Sequence, residues 1–265
     1  MSQIAAVRDR SGLGPVVADC LVMIRRSLRH LTRNMDEVIQ AIALPIMLLL
    51  LFRYLFGGAI NTGGPSYVNY LISGVIVLTV AFSASATAVG VANDLQNGLV
   101  ERFRTMPMFG AAILVGHVVS AVLRNILSVA LVIGVGYLVD FRPKATAGEW
   151  LTAFAILLVF MLAVSWLATL LGVIAGGVEA ASGYAMILVF LPYASSALVP
   201  SDNMPTILKA VVDHQPFTSV VNAVRALLID VPVGNDVWIA FAWWGPILVL
   251  TAAFTINRFA RHTSR

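Results

Sequence analysis

Six predominantly apolar runs, at residues 38–56, 70–92, 118–139, 150–175, 182–199 and 237–256, take up most of the chain. Each comes near the ~20 residues that an α-helix needs to cross about 30 Å of hydrocarbon. In that medium every backbone N–H and C=O must find a partner within the protein, so only helices and closed barrels span it. Continuous runs of this length select helices. Composition agrees: 59% of residues are hydrophobic and 11% charged, against roughly 45–50% and about 25% in soluble domains, and the mean hydropathy is +0.90. The expected fold is all-α, a polytopic membrane protein of six transmembrane helices.

Charge sets the orientation. Of the 17 Arg and Lys residues, Arg8, Arg10, Arg25, Arg26, Arg29, Arg33, Arg102, Arg104, Arg258, Arg261 and Arg265 fall on the side of the termini. Arg142, Lys144, Lys209 and Arg225 fall on the other side, and Arg53 and Arg124 lie within spans. Basic residues collect in cytoplasmic loops, which predicts both termini inside. The same rule accounts for the pI of 9.6 without a nucleic-acid partner. Only Lys144 and Lys209 are lysines; with abundant Ala and Val, that skew points to a GC-rich bacterial genome and a cytoplasmic membrane. The polar first 37 residues do not resemble a cleavable signal peptide, whose apolar core comes early. The lone Cys20 excludes an internal disulfide.

Three regions follow: a cytoplasmic N-terminus at 1–37, a six-span domain at 38–256 and a basic cytoplasmic tail at 257–265. Within 14–37, Val17, Leu21, Ile24, Leu28 and Leu31 recur at helical spacing while Arg25, Arg26, Arg29 and Arg33 fill other faces. This predicts an amphipathic helix lying among the headgroups of the membrane lipids, with an ordinary cytoplasmic helix as the alternative. The longest outer segment, 200–236, holds two helix-like stretches, 205–212 and 216–229, broken at His214, Gln215 and Pro216. Both are too short to cross. They read as a re-entrant helical hairpin between spans five and six, a backbone that membrane depth tolerates only where protein or a wet cavity satisfies it.

A polar interruption at 93–110 (NDLQNGLVERFRTMPMFG) separates the second and third runs. It combines a charged face with the apolar minority Leu95, Leu99, Phe103 and Met106, and Pro107 stops it. A helix of this kind in a cytoplasmic loop suits a handle on which a separate protein pushes. The chain carries no motor of its own: a Walker A loop ends in Gly-Lys-Ser/Thr, and both lysines follow other residues. HExxH, GxSxG and GxGxxG are also absent, and the four histidines lack metal-site spacing. No span has a central Asp or Glu, which counts against ion-coupled transport.

Taken together, these pieces resemble the membrane subunit of ABC-2 type exporters, in particular daunorubicin-resistance-type drug and lipid efflux permeases. The resemblance is carried by the amphipathic N-terminal helix leading to Pro45 in the first span. It continues in Asp94, Gly98, Glu101, Arg102, Arg104 and Pro107 after the second span, and in His214-Gln215-Pro216 followed by Asn222, Arg225, Leu227 and Leu228. It implies a pair of six-span subunits, alike or different, each resting on a cytoplasmic ABC ATPase subunit, two copies in all. ATP and Mg would then bind the partner, with no cofactor and no metal on this chain. It implies also that the loop helix enters a cleft on the ATPase. In such a contact Glu101, Arg102 and Arg104 orient docking, Phe103 and Met106 anchor it, Gly98 permits a tight approach or a bend, and Pro107 ends the helix.

Other residues carry open alternatives. Arg124, about 9 Å deep if its span begins near Val118, either snorkels to the interface or forms an inner gate, pairing with Glu179. Arg53 has the same choice between snorkelling and an anionic headgroup. His214 either caps a helix end or senses pH or cargo, and Pro192 kinks span five for gating. The expected function is export of a hydrophobic or amphipathic compound (drug, lipid or glycolipid) by a non-enzymatic subunit. The alternatives are an ion-coupled transporter or channel acting without an ATPase and, third, a membrane-embedded enzyme, for which no cluster of polar catalytic residues is found.

Overall fold

The structure, a computed structural model, describes residues 35–58, 66–97, 112–201, 204–229 and 231–263. The expected amphipathic helix with Arg25, Arg26, Arg29 and Arg33 lies outside the described residues. So do Gly98, Glu101, Arg102, Phe103, Arg104, Met106 and Pro107 of the loop. Among the described residues the chain is helical and has no strand.

Helix α1, Met35–Leu51, passes into a π-helical turn, Phe52–Phe56. It is followed by α2 (Tyr67–Gln96), α3 (Ala112–Leu138) and α4 (Ala147–Ile174). Then come α5 (Val178–Phe190), which tightens into a 3-10 turn at Leu191–Ala194, α6 (Thr206–His214), α7 (Pro216–Ile229) and α8 (Asp236–Thr263). Among the described residues four helices are long and apolar enough to cross a membrane: α2, α3, α4 and the part of α8 over Asp236–Phe259. The first and fifth apolar runs form shorter helices. Helix α8 also continues to Thr263, through most of the tail expected at 257–265.

The fifth run departs from expectation. A single helix over 182–199 is predicted; the helix instead starts at Val178 and loses its α pattern after Phe190. Pro192 has no N–H to give the carbonyl four residues back, and the Ser195 amide and hydroxyl both return to the Pro192 carbonyl. The backbone beyond is irregular yet buried at Ser195, Ser196 and Ala197.

Contacts between connections fix the relative placement of the helices. The Arg142 amide donates to Asn69 Oδ1 at 3.0 Å and the Lys144 amide to the Leu228 carbonyl at 3.0 Å. These bonds gather the start of α2, the α3–α4 connection and the end of α7 at one pole, here termed the hairpin end. Thr146 and Glu149 form a reciprocal capping box there and start α4. The opposite pole, where α2 ends and α3 begins, is the loop end.

Helix α2 is the hub, touching α1, α3, α4, α5 and α7. Lipid offers helices no hydrophobic drive to associate, so small residues that admit close backbone approach carry the packing. A methyl on Gly74 of α2 would stand 1.9 Å from the Ala197 carbonyl oxygen, and one on Gly172 of α4 would stand 2.6 Å from that of Ala88. Helix α7 is enclosed along most of its length. Phe217 stacks edge-on with Phe160 and Trp244, and Trp244 Nε1 donates to the Pro216 carbonyl at 3.0 Å. The helical stretches expected at 205–212 and 216–229 thus occur as α6 and α7.

Candidate functional site

Among the described residues, most side-chain hydrogen bonds that join one helix to another lie along α2 and at its two ends. At the loop end Asp94, three residues before Asn97, the last described residue ahead of the loop, accepts from His117 Nε2 across 3.0 Å. The pair is about one-fifth exposed. Beneath it Val91, Leu114, Val173 and Phe259 form a small apolar cluster joining α2, α3, α4 and α8. A methyl on Gly177, at the α4–α5 turn, would stand 2.6 Å from Gln96 Nε2. Both feet of the loop are therefore fastened to the bundle.

One test follows at this clasp. A double-mutant cycle of Asp94→Ala and His117→Ala, read by denaturant unfolding in micelles, is expected to give a coupling of about 1 kcal/mol. Asp94 makes a further interaction, so its single variant is expected to lose more than the pair alone. Additive single losses would disprove the clasp.

Arg124 lies seven residues along α3 from His117. Helix α3 begins at Ala112 rather than near Val118, so Arg124 sits about 18 Å from the helix start instead of about 9 Å. It is 7% exposed and turns inward. Its Nε and Nη2 donate to Ser83 Oγ at 3.3 and 3.2 Å, and Nη2 also reaches the Ser83 carbonyl at 3.3 Å and Thr87 Oγ1 at 3.1 Å. Snorkelling is thereby corrected: the guanidinium is enclosed and bonded to α2 rather than extended along the outer surface of the bundle. The suggested partner Glu179 stands exposed in the first turn of α5, and Arg124 engages α2 instead. The contacts have matched registers, since His117 and Arg124 on α3 meet Asp94 and Thr87 on α2, seven apart on each helix.

The hairpin end holds the densest polar network. Arg225 on α7 lays its guanidinium carbon 3.6 Å from the centre of the Tyr70 ring. Its Nε donates to the Tyr70 carbonyl at 3.3 Å, Nη1 to Asn222 Oδ1 at 3.0 Å, and Nη2 to the Ser196 carbonyl at 2.7 Å. The Tyr70 hydroxyl donates to that same Ser196 carbonyl at 2.8 Å, and Ser196 Oγ donates to Asn222 Oδ1 at 2.9 Å. Tyr67 supplies the Leu198 carbonyl at 3.0 Å, and Gln215 Nε2 supplies that of Ala194. Side chains of α2 and of the α6–α7 pair thus satisfy the carbonyls that the broken end of α5 leaves open.

The remaining sequence candidates stay apart. Pro192 is buried within the 3-10 turn. His214 ends α6 exposed, its Nδ1 donating to the Ala210 carbonyl at 2.8 Å. Arg53 reaches Asp140 at 3.9 Å on the surface. Among the described residues no three His, Cys, Asp or Glu side chains gather as a metal site. The sequence gives no role to Tyr67, just ahead of the second apolar run, or to Tyr70, Gly74, Ser83 and Thr87 within it, where no distinctive signal marks them. Asn222 and Arg225, one helical turn apart, carried one.

The ABC-2 type transporter family model matches residues 18–229, from ahead of α1 to the end of α7, and so covers the loop and both ends of α2. The chain belongs to the ABC-2 type transporter family. Among its relatives is the daunorubicin resistance ABC transporter permease protein DrrB1 of Streptomyces coeruleorubidus, 30% identical over 226 residues, 85% of this chain and 80% of that protein. The probable doxorubicin resistance ABC transporter permease protein DrrC of Mycobacterium tuberculosis, in strains CDC 1551 / Oshkosh and ATCC 25618 / H37Rv, is 22% identical over 237 residues. That alignment takes in 89% of this chain and 86% of DrrC. The ABC-2 chain is accordingly a multi-pass membrane protein of a transporter family.

Proposed function

We propose that this chain is the six-span permease subunit of an ATP-driven exporter. It moves a hydrophobic or amphipathic compound (a drug, lipid or glycolipid) out across a bacterial cytoplasmic membrane. Two copies of a separate ABC ATPase supply the power, with ATP and Mg bound there, and a second permease subunit completes the complex. Both termini face the cytoplasm, the N-terminal region 1–37 carries an interfacial helix within 14–37, and α6–α7 are the re-entrant hairpin on the outer side. The observation that carries this reading is the family match over 18–229, whose relatives are named as drug-resistance ABC permeases.

The architecture supplies a mechanism. Closure of the ATPase would push residues 94–107, whose feet are clamped to the bundle by Asp94 and His117. Helix α2, about 45 Å long and held along its length by α3, α4 and α5, would carry that displacement to the hairpin end. The test is an affinity pull-down of the detergent-solubilised chain from its native host, with mass spectrometry. A stoichiometric soluble protein bearing a Walker A motif is expected. Recovery of the chain without one, under conditions that keep another ABC complex intact, would favour an ion-coupled carrier.

A further inference from the structure

The broken end of α5 meets α2 and α7 through a seam unlike the rest of the bundle. Elsewhere α7 is set by interlocked aromatic rings, Phe217 between Phe160 and Trp244. Along residues 195–199 the contact is a file of carbonyl oxygens, those of Ser196 and Leu198, bonded by Tyr70, Arg225 and Tyr67. Water replaces hydrogen bonds of this kind at little net cost, whereas separating close-packed side chains forfeits their contacts outright. A guanidinium that leaves such a seam for water also regains its hydration. The seam is therefore where the hairpin end parts most easily.

We infer that Tyr70, Asn222 and Arg225 are positioning residues forming a latch, which holds residues 195–199 shut against α2 and releases them in each transport cycle. The inference deepens the proposed export function and rests on it for the meaning of the release. Ser196 is the keeper of the latch, because its carbonyl accepts from both the Tyr70 hydroxyl and Arg225 Nη2 while its hydroxyl donates to Asn222 Oδ1. Gly74 makes the closed position reachable by letting the Ala197 backbone lie directly on α2.

The experiment uses the full chain with Cys20→Ser and a reporter, Ala197→Cys, in lipid nanodiscs open to reagent on both faces. The readout is the rate of labelling by a charged maleimide. Position 197 is fully buried, so labelling of the parent is expected to be slow. Arg225→Gln is expected to speed it about tenfold and Tyr70→Phe, which keeps the ring under the guanidinium, about threefold. A second reporter, Val220→Cys in the fully buried middle of α7, is expected to stay protected in all variants. Unchanged labelling at 197 in Tyr70→Phe, or an equal rise at 220, would overturn the latch; the first shows no seam to release and the second general loosening. Because Tyr70→Phe removes a single hydroxyl, it decides the matter if Arg225→Gln fails to fold. The labelling needs no ATPase, so a failed pull-down would sink the export reading and leave the latch standing.

Discussion

Gly74→Ala is expected to abolish transport and to destabilise the folded chain by about 3 kcal/mol or more, a loss readable as unfolding at much lower denaturant in micelles. The added methyl would stand 1.9 Å from the Ala197 carbonyl oxygen, 2.5 Å from its carbon and 2.7 Å from its Cα. All three are backbone atoms, so no rotamer change relieves the clash. Either α2 must move away or residues 195–199 must, and the hydrogen bonds from Tyr67 and Tyr70 to that segment lengthen in both cases. Overpacking a core ordinarily costs about 1–3 kcal/mol, and here the loss of the polar seam adds to it. Gly134→Ala in α3 is the internal control, since its methyl would meet nothing within 4 Å. Without a clash the helix propensity of alanine is expected to show through, worth up to about 1 kcal/mol in favour of the variant. A Gly74→Ala chain as stable and active as Gly134→Ala would refute the close approach.

How far the fold was legible follows from the same residues. Long apolar runs announce helices because no other backbone closes its hydrogen bonds in a single segment in lipid, so α2, α3, α4 and α8 appear where length and hydropathy put them. Span five was misplaced because its apolar run continues past the helix: Leu198 and Val199 are as apolar as Leu188 and Val189. Pro192 was noticed as a kink, but nothing local states that Tyr67, Tyr70, Gln215 and Arg225, distant in sequence, stand ready to satisfy a broken end. Arg124 was read as shallow because the apolar pattern begins near Val118, whereas the helix includes the preceding turn. Arg124 and His117, seven residues apart, share the face of α3 that meets α2. The partners Ser83 and Thr87 could not be read, since small hydroxyl residues in a membrane helix usually bond the carbonyl four residues back, as Thr87 does to Ser83.

Removing both charges in the loop, Glu101→Ala with Arg102→Ala, is expected to cut transport per ATP hydrolysed by thirtyfold or more, with ATP hydrolysis retained. Asp94–His117, the Val91–Leu114–Val173–Phe259 cluster and the Gln96–Gly177 contact hold the base, so a load applied beyond Asn97 is delivered to α2 rather than spent in a loose tether. What remains is the grip between the loop and the proposed ATPase. Charges at a docking surface set register and encounter rate, and truncating a paired charge commonly costs about 2–5 kcal/mol, at least thirtyfold in affinity. Phe103 and Met106 would still give apolar contact, so the double variant should bind its ATPase weakly or out of register rather than not at all. Hydrolysis would belong to the proposed partner and is expected to continue, and the bundle is expected to unfold as the parent does. That combination, a stable chain beside a working ATPase with little transport, distinguishes a lost coupling from a lost fold. Parental transport by the double variant would place the load elsewhere on the chain and remove residues 94–107 from the mechanism.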